Sequence, residues 1–189
     1  MSADDLEAVL GEVQDVLRSV PAPALQALEE RIAAAPRVYV AGAGRTGLMV
    51  RAFAMRLMHL GLDVHVVGEV TAPALRPGDL LLVGSGSGET GSMRVLAQRA
   101  KALGGTLAVL TIAPTSTIGR LADVLVRLDA PSPKVVPPPG TPPARASAQP
   151  MGSLFEQALL ILLDVVVMRL AAARGLSSEG MFARHANLE

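Results

Sequence analysis

The chain is 189 residues long, half of them hydrophobic, and its 17 basic and 17 acidic side chains leave a formal net charge of zero. This balance excludes a disordered polyelectrolyte and the basic footprint of a nucleic-acid binder, and one tyrosine and three phenylalanines are too few for a base-stacking platform. The absence of cysteine removes disulfides, thiol catalysis and cysteine-bound zinc, and the length suits one sizeable core.

Met1-Ser2-Ala3-Asp4-Asp5 is acidic and lacks the basic and apolar regions of an export signal. The most hydrophobic stretch, 158–168, is too short for a membrane span and contains Asp164. A cytoplasmic protein with neither a membrane nor a nucleic-acid partner is therefore expected. Leu6, Val9, Leu10, Val13, Val16 and Leu17 recur at helical spacing and predict an amphipathic first helix. Pro21 and Pro23 interrupt it, and Leu25, Leu28 and Ile32 predict a second.

A short β-like run at 38–41 then opens an alternating pattern. A glycine-rich turn at 42–47 leads into a helix to about Leu60, and 64–67 reads as a strand. The apolar run 80–84 opens into the loop Ser85-Gly86-Ser87-Gly88-Glu89-Thr90. A helix over 91–103 follows, stopped by Gly104-Gly105, and further strands are predicted at 107–111 and 124–128. Strands alternating with helices through glycine-rich turns predict an α/β fold. The expectation is a single domain over residues 1–189, with a five-stranded parallel sheet flanked by helices and extra helices at both ends.

Residues 131–150 hold most of the prolines, including Pro137-Pro138-Pro139, and predict an extended linker without packed structure. Beyond it, 154–173 reads as a long apolar helix ended by Arg174-Gly175. Ser177-Ser178-Glu179 looks like the cap of a short last helix carrying Arg184 and His185. These flanking helices are candidates for an oligomer interface.

Chemistry concentrates in two loops. Gly42-Ala43-Gly44-Arg45-Thr46-Gly47 satisfies G-x-G-x-x-G between a strand and a helix, the setting of a dinucleotide fingerprint. Such a site needs an acid at the end of the second strand; Asp63 precedes that strand and Glu69 lies late. The second loop tips the balance, because three hydroxyls and flexible glycines ahead of a helix suit a single phosphate group. Ser85, Ser87, Thr90 and backbone amides would hold it, with Arg45 and Thr46 facing the rest of the ligand. The bland reading of either loop is a tight turn in which glycine relieves strain.

These loops resemble a sugar isomerase (SIS) domain, whose phosphosugar loop the run 85–90 closely matches. More narrowly, the chain is similar to the 6-phospho-3-hexuloisomerases of the ribulose monophosphate pathway. The pieces that carry the resemblance are Gly42 to Gly47 with the following block 52–61, Val66-Val67-Gly68-Glu69, Gly78-Asp79-Leu80, Met151-Gly152-Ser153-Leu154-Phe155-Glu156 and the tail 184–189. It covers nearly the whole chain, and the proline-rich stretch 131–146 departs from it.

The resemblance implies interconversion of D-arabino-3-hexulose 6-phosphate and D-fructose 6-phosphate, without cofactor or metal, in formaldehyde fixation. It further implies that Thr46 and Ser85, Gly86, Ser87, Gly88, Glu89 and Thr90 bind substrate, and that Glu156 is the proton acceptor. A homotetramer and functional coupling to a 3-hexulose-6-phosphate synthase follow from it too. The chemistry agrees with one carboxylate, which can take a proton from one carbon and return it to the next through a cis-enediol. Beside Leu154 and Phe155, Glu156 is expected in partly apolar surroundings that raise its pKa. On residues alone an acid favourably placed in the first turn of a helix is the preferred reading, and the resemblance reverses that preference.

His185 is a candidate for opening the furanose ring, in its own or a neighbouring subunit's site, against a bland reading as a helix-terminal cation. Arg45 balances the phosphate or polarises the enediol oxygens. Glu89, repelled by a phosphate, turns back to brace the loop or meets substrate hydroxyls. His59 and His65 read as structural. Three alternatives remain: a non-catalytic SIS phosphosugar sensor, an SIS isomerase for another sugar phosphate such as arabinose 5-phosphate, and the nicotinamide site. The first lacks a basic helix-turn-helix in this sequence.

Overall fold

The computed structural model describes residues 3–133, 135 and 146–188. Two helices, α1 (Ala3–Arg18) and α2 (Ala22–Ala34), precede β1 (Val38–Gly42). Then come α3 (Gly44–His59), β2 (Val64–Val66), β3 (Leu80–Gly84), α4 (Gly91–Ala102), β4 (Thr106–Thr111) and β5 (Val124–Arg127). The long α5 (Ser153–Ala173) and the short α6 (Ser178–Phe182) close the chain. The five strands form one parallel sheet in the order β2-β1-β3-β4-β5.

Both faces of this sheet are covered, which is why its strands are almost continuously apolar. Val38, Val40, Leu80, Leu82, Ala108 and Leu110 face α1, α2, α3 and α5 in one cluster. The alternate residues Tyr39, Ala41, Leu81, Val83, Leu107 and Val109 face Met93, Ala97 and Ala100 of α4 and Ile118 in the other. Leu25, Leu28 and Ile32 of α2 are buried, as their spacing predicts. Leu6 and Leu10 of α1 are exposed, so only Val13 and Val16 of that predicted apolar stripe are fully buried. No helix among the described residues is long and apolar enough to cross a membrane.

The strand order places a topological switch between β1 and β3, from which the chain departs to opposite sides of the sheet. Ligands of open α/β sheets bind in the crevice at such a point, at the carboxyl ends of the strands. Gly42 and Gly84 pair in register at that edge. Both glycine-rich loops therefore begin side by side.

Four local differences from the sequence expectations matter for the site. Helix α3 begins at Gly44, so Arg45, Thr46 and Gly47 lie in its first turn and not in a preceding loop. The tail helix ends at Phe182, leaving Arg184 and His185 beyond it. The predicted strand ends shorten by one residue at 66 and 127. Finally, the far end of the proline-rich linker is pinned: Glu12 of α1 accepts hydrogen bonds from Ser147 Oγ (2.7 Å), the Ala148 amide (2.7 Å) and Gln149 Nε2 (3.2 Å). The described parts of 131–150 contain no helix or strand, and Pro137-Pro138-Pro139 lie outside the described residues.

Candidate active site

Three helices start around one cavity. Ala43 precedes α3, Thr90 precedes α4 and Gly152 precedes α5, and none of these positions makes a side-chain capping bond. Apart from the Ser153 amide, which donates to the Pro150 carbonyl at 3.2 Å, the first three amides of each helix have no protein acceptor among the described residues, and three positive dipole ends converge. The cavity measures about 490 Å³ and is lined by residues 43–46, 84–87, Thr90, Ile112, Ser132, 150–153, Phe155 and Glu156. Its size is that of a small-ligand site.

The glycine pattern of the first loop has a steric explanation. A Cβ on Gly47 would lie 2.6 Å from the Gly42 carbonyl oxygen, so the third glycine lets α3 pack directly against β1. Gly44 has φ +57°, a conformation that favours glycine. The acid expected of a dinucleotide site is elsewhere: Glu69 is 3.2 Å from Arg51 Nη1, and Asp63 precedes β2 at the opposite edge. Neither lines the cavity.

The second loop is braced from behind and open in front. Its entry continues the sheet, with the Ser85 amide donating to the Leu110 carbonyl. The Gly88 amide donates to the Ser85 carbonyl and to Ser85 Oγ, both at 3.2 Å. Thr111 Oγ1 donates to the Gly86 carbonyl, and the Glu89 amide donates to Ser87 Oγ. Among the described residues, the amides of Gly86, Ser87 and Thr90 have no protein acceptor. Such a loop ahead of an uncapped helix has the donors to cradle an anion. Gly88 has φ +63°, and a Cβ there would sit 1.9 Å from Ser116 Oγ, so only glycine closes the turn.

Glu89 faces away from the cavity. Its carboxylate accepts from the Thr117 amide at 2.6 Å and the Thr117 hydroxyl at 2.8 Å. These bonds, the amide's first, hold its carboxyl below the ordinary 4.5. Of the two expectations for Glu89, the geometry matches bracing. Gly88 likewise stands behind the lining, and Thr46 is buried against Gly84 at the floor.

Helix α5 brings the carboxylate to this cradle. A Cβ on Gly86 would lie 3.5 Å from Phe155, so the first turn of α5 abuts the loop. Leu154 and Phe155 turn into the core, while Glu156 faces the cavity with its side chain 16% exposed. Arg45 Nη1 donates to Glu156 Oε2 at 3.0 Å and to Ser153 Oγ at 2.9 Å. The immediate company of Glu156 is therefore polar, unlike the apolar pocket its sequence neighbours predict. Arg45 is turned to the carboxylate, and both of these hydrogen-bond partners are on α5.

His185 is not in this cavity. Its ring stacks on His59 at 5.5 Å and on Phe182 at 5.8 Å, beside the C-terminal end of α3. Gly44 lines the cavity, and His59 follows it by fifteen residues of helix, a rise of about 22 Å. Of the two placements open to His185, its own chain's cavity or a neighbouring subunit's, the cavity of its own chain does not contain it. Burial, then Arg56 and His185, push the His59 pKa below its usual value.

Sequence reasoning missed Ser153, Ile112, Ser132 and Met151 as cavity residues. Ser153 carried a signal, since a serine directly ahead of the predicted helix at 154–173 stands in a capping position. Met151, at φ +58° on the cavity rim, carried none. Among the described residues, no group of three or more His, Asp or Glu side chains is placed to hold a metal ion.

Comparison with known proteins agrees with this geometry. The SIS domain family model matches residues 31–161. The chain is 44% identical over 186 residues to the 3-hexulose-6-phosphate isomerase of Bacillus subtilis, covering 96% of this chain and 95% of that one. It is 41% identical to the 3-hexulose-6-phosphate isomerase of Mycobacterium gastri, covering 98% and 90%. A crystal structure of a hypothetical protein from Methanococcus jannaschii, for which the function of 3-hexulose-6-phosphate isomerase was inferred, superposes with a TM-score of 0.84 at 30% identity over 98% and 99% of the two chains. Family match, full-length relatives and a cavity at the switch point coincide: this chain belongs to the SIS domain family.

Proposed function

We propose that the protein is an isomerase that interconverts D-arabino-3-hexulose 6-phosphate and D-fructose 6-phosphate. The observation that carries this reading is Glu156, the single carboxylate among the described lining residues, facing a cavity whose adjoining wall is an anion cradle of neutral donors. The cradle of Ser85, Gly86, Ser87 and Thr90 takes the phosphate, with Gly88 and Glu89 shaping it from behind and Thr46 lining the floor. Holding one end of an open-chain hexulose places its reacting carbons against the base, which raises their effective concentration.

Glu156 removes the C2 proton of the 3-ketose. The C2–H electron pair becomes the C2–C3 double bond, and the carbonyl electrons move onto O3. The O2 proton passes to O3, and Glu156 returns its proton to C3, leaving the carbonyl at C2. One base on one face of the cis-enediol suffices. A 3-hexulose-6-phosphate synthase would supply the substrate.

We infer further that the protein acts as a homotetramer in which His185 serves a neighbouring subunit's cavity and assists ring opening of fructose 6-phosphate. Leu48 and Met55 on α3 and Ile161 and Met168 on α5 are exposed apolar residues suited to subunit contact. Mixing inactive Glu156→Gln and His185→Ala chains tests this reading: subunit exchange should regenerate intact sites and restore fructose 6-phosphate turnover. No restoration in exchanged oligomers removes the trans role.

The overall activity is tested by supplying ribulose 5-phosphate, formaldehyde and the synthase, and measuring fructose 6-phosphate with and without this protein. Product that appears only when the protein is added is the expected result. Binding of fructose 6-phosphate without turnover would instead mark a phosphosugar sensor.

A further inference from the structure

Arg45 and Glu156 are the two charged side chains among the described residues lining the cavity. They lie 111 positions apart in sequence and meet at 3.0 Å. The same Arg45 nitrogen reaches Ser153 Oγ at 2.9 Å, which orients the guanidinium on the first turn of α5. Arg45 is itself in the first turn of α3, where the helix dipole disfavours a cation. A negative charge nearby offsets that mismatch.

We propose that Arg45 is a catalytic residue that follows the negative charge from Glu156 to the substrate oxygens, and that it is not a ligand of the phosphate. This inference rests on the isomerase reading above. Before proton transfer the charge is on Glu156, and Arg45 neutralises it at hydrogen-bond distance. When Glu156 takes the C2 proton, the charge moves to O3, and it passes to O2 as the hydroxyl proton crosses over. A guanidinium has five N–H donors in one plane. It can therefore release the neutral carboxyl and grip the adjacent enediolate oxygens without itself gaining or losing a proton. Its side chain is 47% exposed, which leaves donors open to the cavity. The phosphate does not need it, because Ser85 to Thr90 and the uncapped start of α4 supply neutral donors.

The exposed, half-solvated position also makes this role separable from folding. An interaction made only in the transition state lowers kcat when removed, whereas one that grips the phosphate raises KM. The experiment compares Arg45→Lys and Arg45→Ala with the wild type, measuring kcat, KM, the inhibition constant of inorganic phosphate and the melting temperature. The expected result is a fall in kcat of about a hundredfold or more for Arg45→Ala, with less than threefold change in phosphate inhibition. Added guanidinium or ethylguanidinium should restore part of kcat in that variant, and Arg45→Lys should recover only part of the loss.

A rise in KM and in the phosphate constant at nearly unchanged kcat would overturn the proposal and make Arg45 a phosphate ligand. Loss of kcat that guanidinium does not rescue, together with a lowered melting temperature, would make Arg45 structural and overturn it as well. Failure of the isomerase reading is a different outcome, because the wild type itself would then give no fructose 6-phosphate.

Discussion

At the N-terminal edge of the sheet, the Asp79 carboxylate is 1% exposed and is fully engaged. It meets Arg37 at 2.8 Å and accepts a hydrogen bond from the Arg76 amide at 2.7 Å. At the C-terminal edge of the same β1–β3 pair, the loop amides of Gly86, Ser87 and Thr90 have no acceptor among the described residues, and three helix starts go uncapped. Arg37 and Asp79 flank the first residues of β1 and β3, and Gly42 and Gly84 are the last. A protein that saturates its polar groups at one end of a strand pair and leaves them unmet at the other has assigned the two ends different tasks. The first end ties β1 to β3; the second presents donors that suit an anion.

Mutations should separate these ends, and the largest effect belongs to the cavity. Glu156→Gln should lower kcat roughly a thousandfold, the range of a lost general base, while the melting temperature and phosphate inhibition stay close to wild type. Substantial retained turnover would remove Glu156 from the base role. Next comes Asp79→Ala, which strands Arg37 beside a buried vacancy. It should destabilise the fold by about 3 kcal/mol, read by denaturant unfolding, with kcat/KM of the folded protein within twofold. If activity fell along with stability, the two edges would not be independent.

Gly88→Ala should be smaller but specific to the cradle. Its added methyl meets Ser116 at a backbone angle that disfavours L residues. We expect KM to rise about tenfold, the worth of one weakened charge-assisted contact, with kcat altered less. A change confined to kcat would place the disturbance at Glu156 instead. The smallest effect concerns Glu89, whose pKa is lowered by the Thr117 amide and then its hydroxyl. A carboxyl with a lowered folded-state value stabilises above 4.5 and loses that contribution as pH falls through the lowered value. Glu89→Gln should therefore reduce the melting temperature slightly at pH 7, and the difference should close progressively below pH 4.5. A gap that persists into acid would mean that Thr117 holds the loop by other means.

The comparison also explains what was readable. Apolar runs bounded by glycine and proline predict all five strands within a residue or two, because a strand buried on both faces needs an unbroken apolar run. The cradle was equally visible in Ser85 to Thr90, since its glycines answer to local backbone geometry. Arg45 was visible as a charged residue but not as a partner of Glu156. Its place in the first turn of α3, and the packing of α5 against that helix, bring the two together. The tail position of His185 likewise carries no local mark of the turn that sets its ring on His59.

By itself, the sequence determined the element order, the parallel sheet, the glycine-rich loop of Ser85 to Thr90 and the helix that starts near Glu156. All of these depend on periodicities and turn chemistry within about twenty residues. Tertiary structure alone decided that three helix starts share one cavity, that Glu12 pins the far end of the linker, that Arg45 holds Glu156, and that His185 stands at the other end of α3. Each is a meeting of groups distant in sequence, settled by how α1, α3 and α5 pack on one face of the sheet and α4 on the other, and no local pattern encodes that packing.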